Sequence, residues 1–193
     1  MRYLCFWALS FAASAAMANP TAHGVMREAE FGGCHFKLSD HYKGSLRLTT
    51  SGTAAVYNLP FNPKLRNSVE VSILFFCDTG KGRKAFTDLG LGNQDGVWVL
   101  IPNKSDPQNL ARVKLYPLRG NGTSGAASTY DQTTGERSRR FQGLGFCLTD
   151  QKQILCGVSE AVGYVAYPKA SSLPQVLKLL ESIEFLEPAA KSP

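Results

Sequence analysis

Short apolar runs bounded by turn-forming residues recur along this chain of 193 residues. Such runs predict β-strands where β-branched and aromatic residues are frequent. The clearest run is residues 69–77 (VEVSILFFC), which begins as an alternation and ends as a continuous apolar stretch, as expected of a central strand. Further strands are predicted at residues 34–38, 45–50, 54–59, 97–101 and 111–116.

An amphipathic helix is predicted near the C-terminus. The sequence SLPQ at residues 172–175 fits a capping box with a proline in the first helical turn. Apolar residues then recur at helical spacing: Leu173, Val176, Leu177, Leu180 and Ile183. We therefore expect an α+β fold, in which this helix covers an antiparallel sheet within a single domain spanning residues 19–193.

Residues 117–140 interrupt this pattern. Their sequence, PLRGNGTSGAASTYDQTTGERSRR, contains little that could enter a core. A structureless stretch longer than about 15 residues inside a compact domain is either functional or disordered. We predict a flexible loop at about this position.

The first 18 residues have the features of a secretory signal peptide. Arg2 supplies a positive charge, residues 3–13 form an apolar run too short to span a bilayer, and residues 16–18 (AMA) form a cleavage site of small residues. A buried N-terminal helix is the alternative, and Pro20 argues against its continuation. We expect cleavage after Ala18, a periplasmic or secreted location, and no transmembrane segment.

Cysteine spacing points to two disulfides. Loss of the signal peptide removes Cys5 and leaves four cysteines, an even number that is typical of disulfides in an exported protein. Within residues 145–157 (GFCLTDQKQILCG), two apolar runs flank the tetrapeptide DQKQ and predict a hairpin. Its register places Cys147 opposite Cys156, within disulfide range. Cys34 and Cys77 then pair by elimination.

A metal site is disfavoured by the same cysteines. Zinc sites of cysteine type usually contain close C-x₂₋₄-C pairs, and none is present. Cys34 and His35 are adjacent, and adjacent strand residues point to opposite faces. We expect no metal and no cofactor.

Complete catalytic motifs are absent from the sequence. The segment CDTGKGRK at residues 77–84 lacks the spacing and the terminal hydroxyl of a phosphate-binding loop, and no G-x-S-x-G elbow occurs. Ser39, Asp40 and His41 are sequence neighbours, whereas the members of a catalytic triad come from separate elements. We interpret them as a polar turn, and enzymatic activity is not expected.

The net charge of +6 at pH 7 is concentrated in two basic clusters. Such clusters on an exported protein favour an acidic protein surface, an anionic membrane surface or a polyanionic glycan as partner. Nucleic acid is disfavoured, because only Tyr130 and Phe141 flank the second cluster and could stack on bases. Solvated loops that maintain solubility are the alternative. The candidate binding residues are Lys81, Arg83, Lys84, Arg137, Arg139 and Arg140.

A family resemblance involves about a quarter of the chain, at its C-terminal end. An aromatic and apolar hairpin, a proline-containing connection and the segment LPQVLKLLESIEFL resemble PsbP/Mog1-like domains. In the same respect they are similar to certain periplasmic immunity proteins of type VI secretion effectors. The resemblance contains no polar motif, so it implies no functional residue.

These features lead to three hypotheses. The first is an exported, non-catalytic protein-binding domain, most concretely a periplasmic immunity protein that neutralises a toxic secreted effector. The second is a periplasmic accessory protein that binds a lipid or small ligand between helix and sheet. The third is a hydrolase with an unrecognised site, which a buried His41 beside a carboxylate would favour.

Overall fold

The structure is a computed structural model, and it describes residues 24–61, 66–78, 84–101 and 112–187. The described part is mostly β, with 52% of its residues in strands and 13% in helices, arranged as three sheets and one substantial helix. The expected α+β class is therefore wrong. The predicted signal peptide, residues 1–18, lies outside the described residues.

Strands and helices of the described ranges follow one another along the chain. The strands are β1 (Val25–Phe31), β2 (Cys34–Asp40), β3 (Ser45–Leu48), β4 (Ala54–Leu59), β5 (Val71–Cys77), β6 (Leu91–Gln94), β7 (Val97–Leu100), β8 (Lys114–Arg119), β9 (Ser124–Asp131), β10 (Phe141–Thr149), β11 (Ile154–Tyr164) and β12 (Glu184–Phe185). The α-helices are α1 (Lys84–Asp88) and α2 (Leu173–Glu181), and short 3₁₀ turns lie at Arg137–Arg139 and Pro168–Ala170.

All strand pairs of the described residues are antiparallel. The large sheet has seven strands in the order β3-β4-β5-β11-β10-β9-β8, and the small sheet has three in the order β1-β2-β12. The hairpin β6-β7 forms the third sheet. In the small sheet, Lys37 of β2 lies opposite Glu184 of β12.

The main core lies between the small sheet and the large sheet. Phe36 of β2 packs on Phe75 of β5, and Phe75 packs on Phe146 of β10, with both pairs of ring centroids 5.5 Å apart. Helix α2 covers another part of this core and buries Val176, Leu179 and Leu180. The fold class was mispredicted because a second sheet covers the large sheet together with the helix, whereas the prediction assigned the covering layer to the helix alone.

A smaller core lies on the other face of the large sheet. Strand alternation places Cys147 on the face opposite to Phe146. There, the disulfide to Cys156 packs with Phe86 of α1 and Leu91 of β6. The large sheet therefore has buried side chains on both faces along β10, as its nearly continuous burial indicates.

Both predicted disulfides are present, with Cα–Cα distances of 5.6 Å for Cys34–Cys77 and 4.0 Å for Cys147–Cys156. The hairpin register is confirmed, because Thr149 lies opposite Ile154 and Cys147 lies opposite Cys156. The first disulfide joins the small sheet to the large sheet, and the second joins neighbouring strands within the large sheet.

The prediction of a flexible loop at residues 117–140 is wrong where β8 and β9 form. Strand β8 extends to residue 119, and β9 occupies residues 124–131 in the interior of the large sheet. Its small residues permit close strand packing: a Cβ added to Gly125 would lie 2.1 Å from the carbonyl oxygen of Cys147. Residues 125–129 are buried, so a run that looks too small for a core belongs to one.

Helix α2 forms where predicted, but its N-terminus differs from the expected capping box. Ser172 makes no side-chain capping hydrogen bond. Instead, the Ser171 hydroxyl accepts a hydrogen bond from the backbone N–H of Leu173 at 3.1 Å. Leu177, expected in the apolar stripe, is half-buried.

Strand boundaries also shift at several positions. Strand β4 matches its predicted bounds, whereas β8 begins at Lys114 instead of residue 111. The sequence prediction missed β1, α1, β6, β9 and β12 altogether.

Candidate functional site

The second predicted basic cluster lies at one end of the large sheet. Arg137 and Arg139 belong to the 3₁₀ turn between β9 and β10, and Arg140 directly precedes β10. Of the first predicted cluster, Lys81 and Arg83 lie outside the described residues. Lys84 begins α1, and its side chain is also outside the description.

Arg137 and Arg140 line a depression of about 490 Å³, which we call the basic depression. Arg112, which precedes β8, lies on its wall as well. The remaining lining residues are Asp131, Gln132 and Val165. Two of the predicted arginines are thus brought together with a third that the sequence prediction missed. In the sequence, Arg112 belongs to neither basic cluster, and it reaches the site through the pairing of β8 with β9.

Arg139 does not share this site. Its side chain is 82% exposed and forms an ion pair with Glu136 at 3.5 Å. An ion pair so exposed contributes little to stability. The prediction that Arg139 belongs to the binding surface with its two neighbours therefore gains no support from its position.

The basic depression carries a local excess of positive charge. Asp131 is the one carboxylate among the described residues that line it, and it accepts a hydrogen bond from the side-chain amide of Gln142 at 3.1 Å. Arg140 donates from Nε to the Gly135 carbonyl at 3.0 Å, which positions its guanidinium group. Within the described residues, Arg112 and Arg137 have no ion-pair partner. Guanidinium groups so placed suit carboxylates, which they bind in a bidentate geometry.

The turn that carries these arginines is well hydrogen-bonded. Gln132 and Phe141 are joined twice, by the Gln132 N–H to the Phe141 carbonyl at 2.9 Å and by the Phe141 N–H to the Gln132 side chain at 3.2 Å. The Arg139 N–H donates to the Glu136 carbonyl at 2.9 Å. The arginines are therefore presented by an ordered segment.

Ser39, Asp40 and His41 do not form a triad. The Ser39 hydroxyl and the His41 Nε2 atom are 3.2 Å apart on the protein surface. Asp40 points instead into the core, where it accepts hydrogen bonds from the Tyr57 hydroxyl at 2.8 Å and from the Tyr42 N–H at 2.9 Å. Its carboxylate cannot orient the exposed His41 ring, so the arrangement expected of a hydrolase is absent here.

Asp40 is a structural carboxylate. Burial by itself would raise its pKa, but hydrogen bonds from Tyr57, from backbone N–H groups and from Arg27 outweigh this and lower the pKa. The same contact affects its partner, since burial and the hydrogen bond to Asp40 raise the pKa of Tyr57. Asp40 therefore stays ionised in the core and fixes the end of β2 against β4.

Metal-ligating residues do not cluster in the described part of the chain: no three His, Cys, Asp or Glu side chains are grouped there as a metal site requires.

Across the described ranges, none of the helices has the length and apolar character needed to cross a membrane.

Comparison with known proteins identifies no family. No family model matches the chain, and no curated protein matches its sequence. A solved structure of a Pseudomonas aeruginosa protein of unknown function, PA94, is similar over 81% of this chain and 96% of its own, with 13% identity and a TM-score of 0.35. A TM-score of 0.35 is too low to establish a shared fold.

Proposed function

We propose that this protein is an exported, non-catalytic protein-binding domain that engages acidic side chains of its partner at the basic depression. One observation carries the proposal: Arg112, Arg137 and Arg140 line one depression of about 490 Å³, where Asp131 is the one carboxylate among the described lining residues. Three guanidinium groups facing one carboxylate leave an excess of positive charge that a carboxylate-bearing surface would neutralise.

The scaffold around the depression supports this role. Binding residues are often presented by loops on a rigid framework. Here the framework is the large sheet, which has a core on each face and contains the Cys147–Cys156 disulfide. Two disulfides are compatible with the oxidising compartment that the N-terminal sequence predicts.

The most concrete form of this proposal is an immunity protein that neutralises a secreted toxic effector. Such a partner would present acidic groups to the basic depression. The form rests on the resemblance of the C-terminal segment, and an exported toxin encoded next to this protein would favour it.

Charge neutralisation tests the binding site. The triple variant Arg112→Gln/Arg137→Gln/Arg140→Gln removes the three guanidinium groups, and Arg47→Gln/Arg66→Gln/Lys178→Gln removes three exposed cations located elsewhere. Poly-L-glutamate serves as the acidic probe, and association rates are measured at two salt concentrations. We expect the triple variant to associate about tenfold more slowly than wild type, and added salt to slow the wild type most.

Equal losses in both variants would show that only net charge matters and would contradict the proposed site. A wild-type rate independent of salt would contradict it as well. The immunity role has a separate test: co-expression with the neighbouring toxin, followed by survival counts. Survival that is the same with and without this protein would exclude that role but leave the binding measurement standing.

A further inference from the structure

Part of the large sheet's outer face is uncovered. In β5, Val71, Ile73 and Phe75 face the main core, whereas Ser72 and Leu74 alternate to the outer face and are exposed. Helix α1 and the hairpin β6-β7 pack over the Cys147–Cys156 end of that face. Beyond them lies a groove of about 430 Å³. We call it the acidic groove, and its lining residues are Glu70, Ser72, Leu74, Phe141, Val158, Glu160 and Ala161.

Negative charge dominates this groove. Among the described residues, Glu70 and Glu160 are the only ionisable side chains that line it, and both are exposed. Neither has an ion-pair partner among the described residues. Two carboxylates with no compensating cation produce a negative potential that attracts a positively charged ligand.

Aromatic rings stand beside these carboxylates. Phe141 is 38% exposed and stacks on Tyr164, with ring centroids 5.1 Å apart. Tyr130 lies across Gly143, where an added Cβ would be 2.3 Å from its ring. Burial and the nearby charge of Glu160 raise the pKa of the Tyr130 hydroxyl. Aromatic faces next to carboxylates favour cations that carry apolar substituents.

We infer that the acidic groove binds a small organic cation, an ammonium group attached to an apolar body. Glu70 and Glu160 would neutralise the ammonium charge, the Phe141 ring would contact it, and Leu74 and Val158 would contact the apolar body. A volume of about 430 Å³ falls in the range of small-molecule sites.

The inference is independent of the proposed protein-binding function, because the acidic groove and the basic depression share no residue. Failure at one site therefore leaves the other unaffected. A ligand in the acidic groove would also give the outer face of the large sheet a binding function that is separate from that of the basic depression.

Titration with benzyltrimethylammonium chloride, followed by backbone amide chemical shifts, tests the site. Benzyl alcohol and phenylacetate serve as neutral and anionic comparators of similar size. We expect saturable shifts in residues 72–74 and 158–161 with the cation, and binding at least about tenfold weaker with either comparator. Equal binding of all three compounds, or shifts confined to other regions, would overturn the inference.

Isosteric variants separate charge from structure. Glu70→Gln and Glu160→Gln should each weaken binding of the cation about threefold, and the double variant more. Glu136→Gln, which changes an exposed glutamate outside the groove, should leave the dissociation constant unchanged. Glu160→Gln should also lower the pKa of Tyr130 toward its ordinary value.

An unchanged dissociation constant in the double variant would refute the role of the carboxylates. A lysine-containing tripeptide that binds more tightly than the benzyl cation would refute the small-molecule assignment and favour a peptide. Thermal melts of each variant verify that the fold is intact, because both glutamates are exposed and their replacement should not disturb the core.

Discussion

The double substitution Cys34→Ala/Cys77→Ala should lower the free energy of unfolding by about 4 kcal/mol. This disulfide links β2 of the small sheet to β5 of the large sheet and closes a sequence separation of 43 residues. Without it, the unfolded chain gains conformational freedom, whereas the native strands keep their pairing partners. Alanine is preferred to serine because Cys34 is fully buried, and a hydroxyl there would need a hydrogen-bond partner.

The second disulfide provides a matched control. Cys147→Ala/Cys156→Ala opens a separation of only 9 residues, for which the same chain-entropy argument gives about 2.5 kcal/mol. Each variant removes two sulfur atoms from packed surroundings, so the packing losses largely cancel in the comparison. The inter-sheet disulfide should therefore contribute about 1.5 kcal/mol more, or roughly a tenfold difference in the unfolding equilibrium constant.

Urea denaturation at pH 7, monitored by fluorescence and circular dichroism, measures both quantities. The dependence of the free energy on urea should also steepen, and more so for Cys34→Ala/Cys77→Ala, because an unlinked unfolded chain exposes more surface. If the control variant lost as much stability as the inter-sheet variant, loop length would not set the contribution. An unchanged urea dependence in both variants would likewise refute the unfolded-state explanation.

Four other substitutions test the packing of the fold. Tyr57→Phe removes the hydroxyl that donates to the buried Asp40 carboxylate and should cost about 1.5–3 kcal/mol at pH 7. The fold lowers the pKa of the Asp40 carboxyl. The contribution of this hydrogen bond is therefore fully present above the ordinary carboxyl pKa of about 3.9, and it is lost as the pH falls through the pKa of Asp40 in the folded protein. Urea denaturation at pH 7 and at pH 3 should show that Tyr57→Phe costs less stability in acid. Leu180→Ala should cost about 2–5 kcal/mol and the half-buried Leu177→Ala clearly less, and equal losses in thermal melts would contradict the observed face of α2. Gly125→Ala should cost about 1–3 kcal/mol by forcing β9 away from β10, and a wild-type melting temperature would show that the strands are not so close.

Local features of the sequence predicted local structure well. The register of the β10-β11 hairpin follows from a polar tetrapeptide and two cysteines within 13 residues, and the structure confirms it. Strand β1 was missed although its sequence has a pattern that predicts a strand. Apolar Ala29 and Phe31 alternate with charged residues before the pair Gly32-Gly33, which is typical of a hairpin.

Strand β9 and the basic depression depend on distant parts of the chain. The residues of β9 are too small to predict burial, and they are buried because Gly125 lets the backbone of β10 approach closely. Arg112 reaches Arg137 and Arg140 only because β8 pairs with β9, and β9 with β10. The periodicity of a short sequence window contains no information about such pairings. Arg137 and Arg140 were predicted because they are close in sequence, and Arg112 was not.

The pairing of β2 with β12 has a consequence for how the chain folds. Strand β2 lies near the start of the described chain and β12 near its end. Their contact therefore joins residues that are far apart in the sequence. Because such contacts require closure of a long loop, folding should be slow for a protein of this size. Until Glu184 and Phe185 reach it, the edge of β2 that pairs with β12 stays unpaired. A chaperone that shields this edge would therefore protect the folding chain from aggregation until this late contact forms.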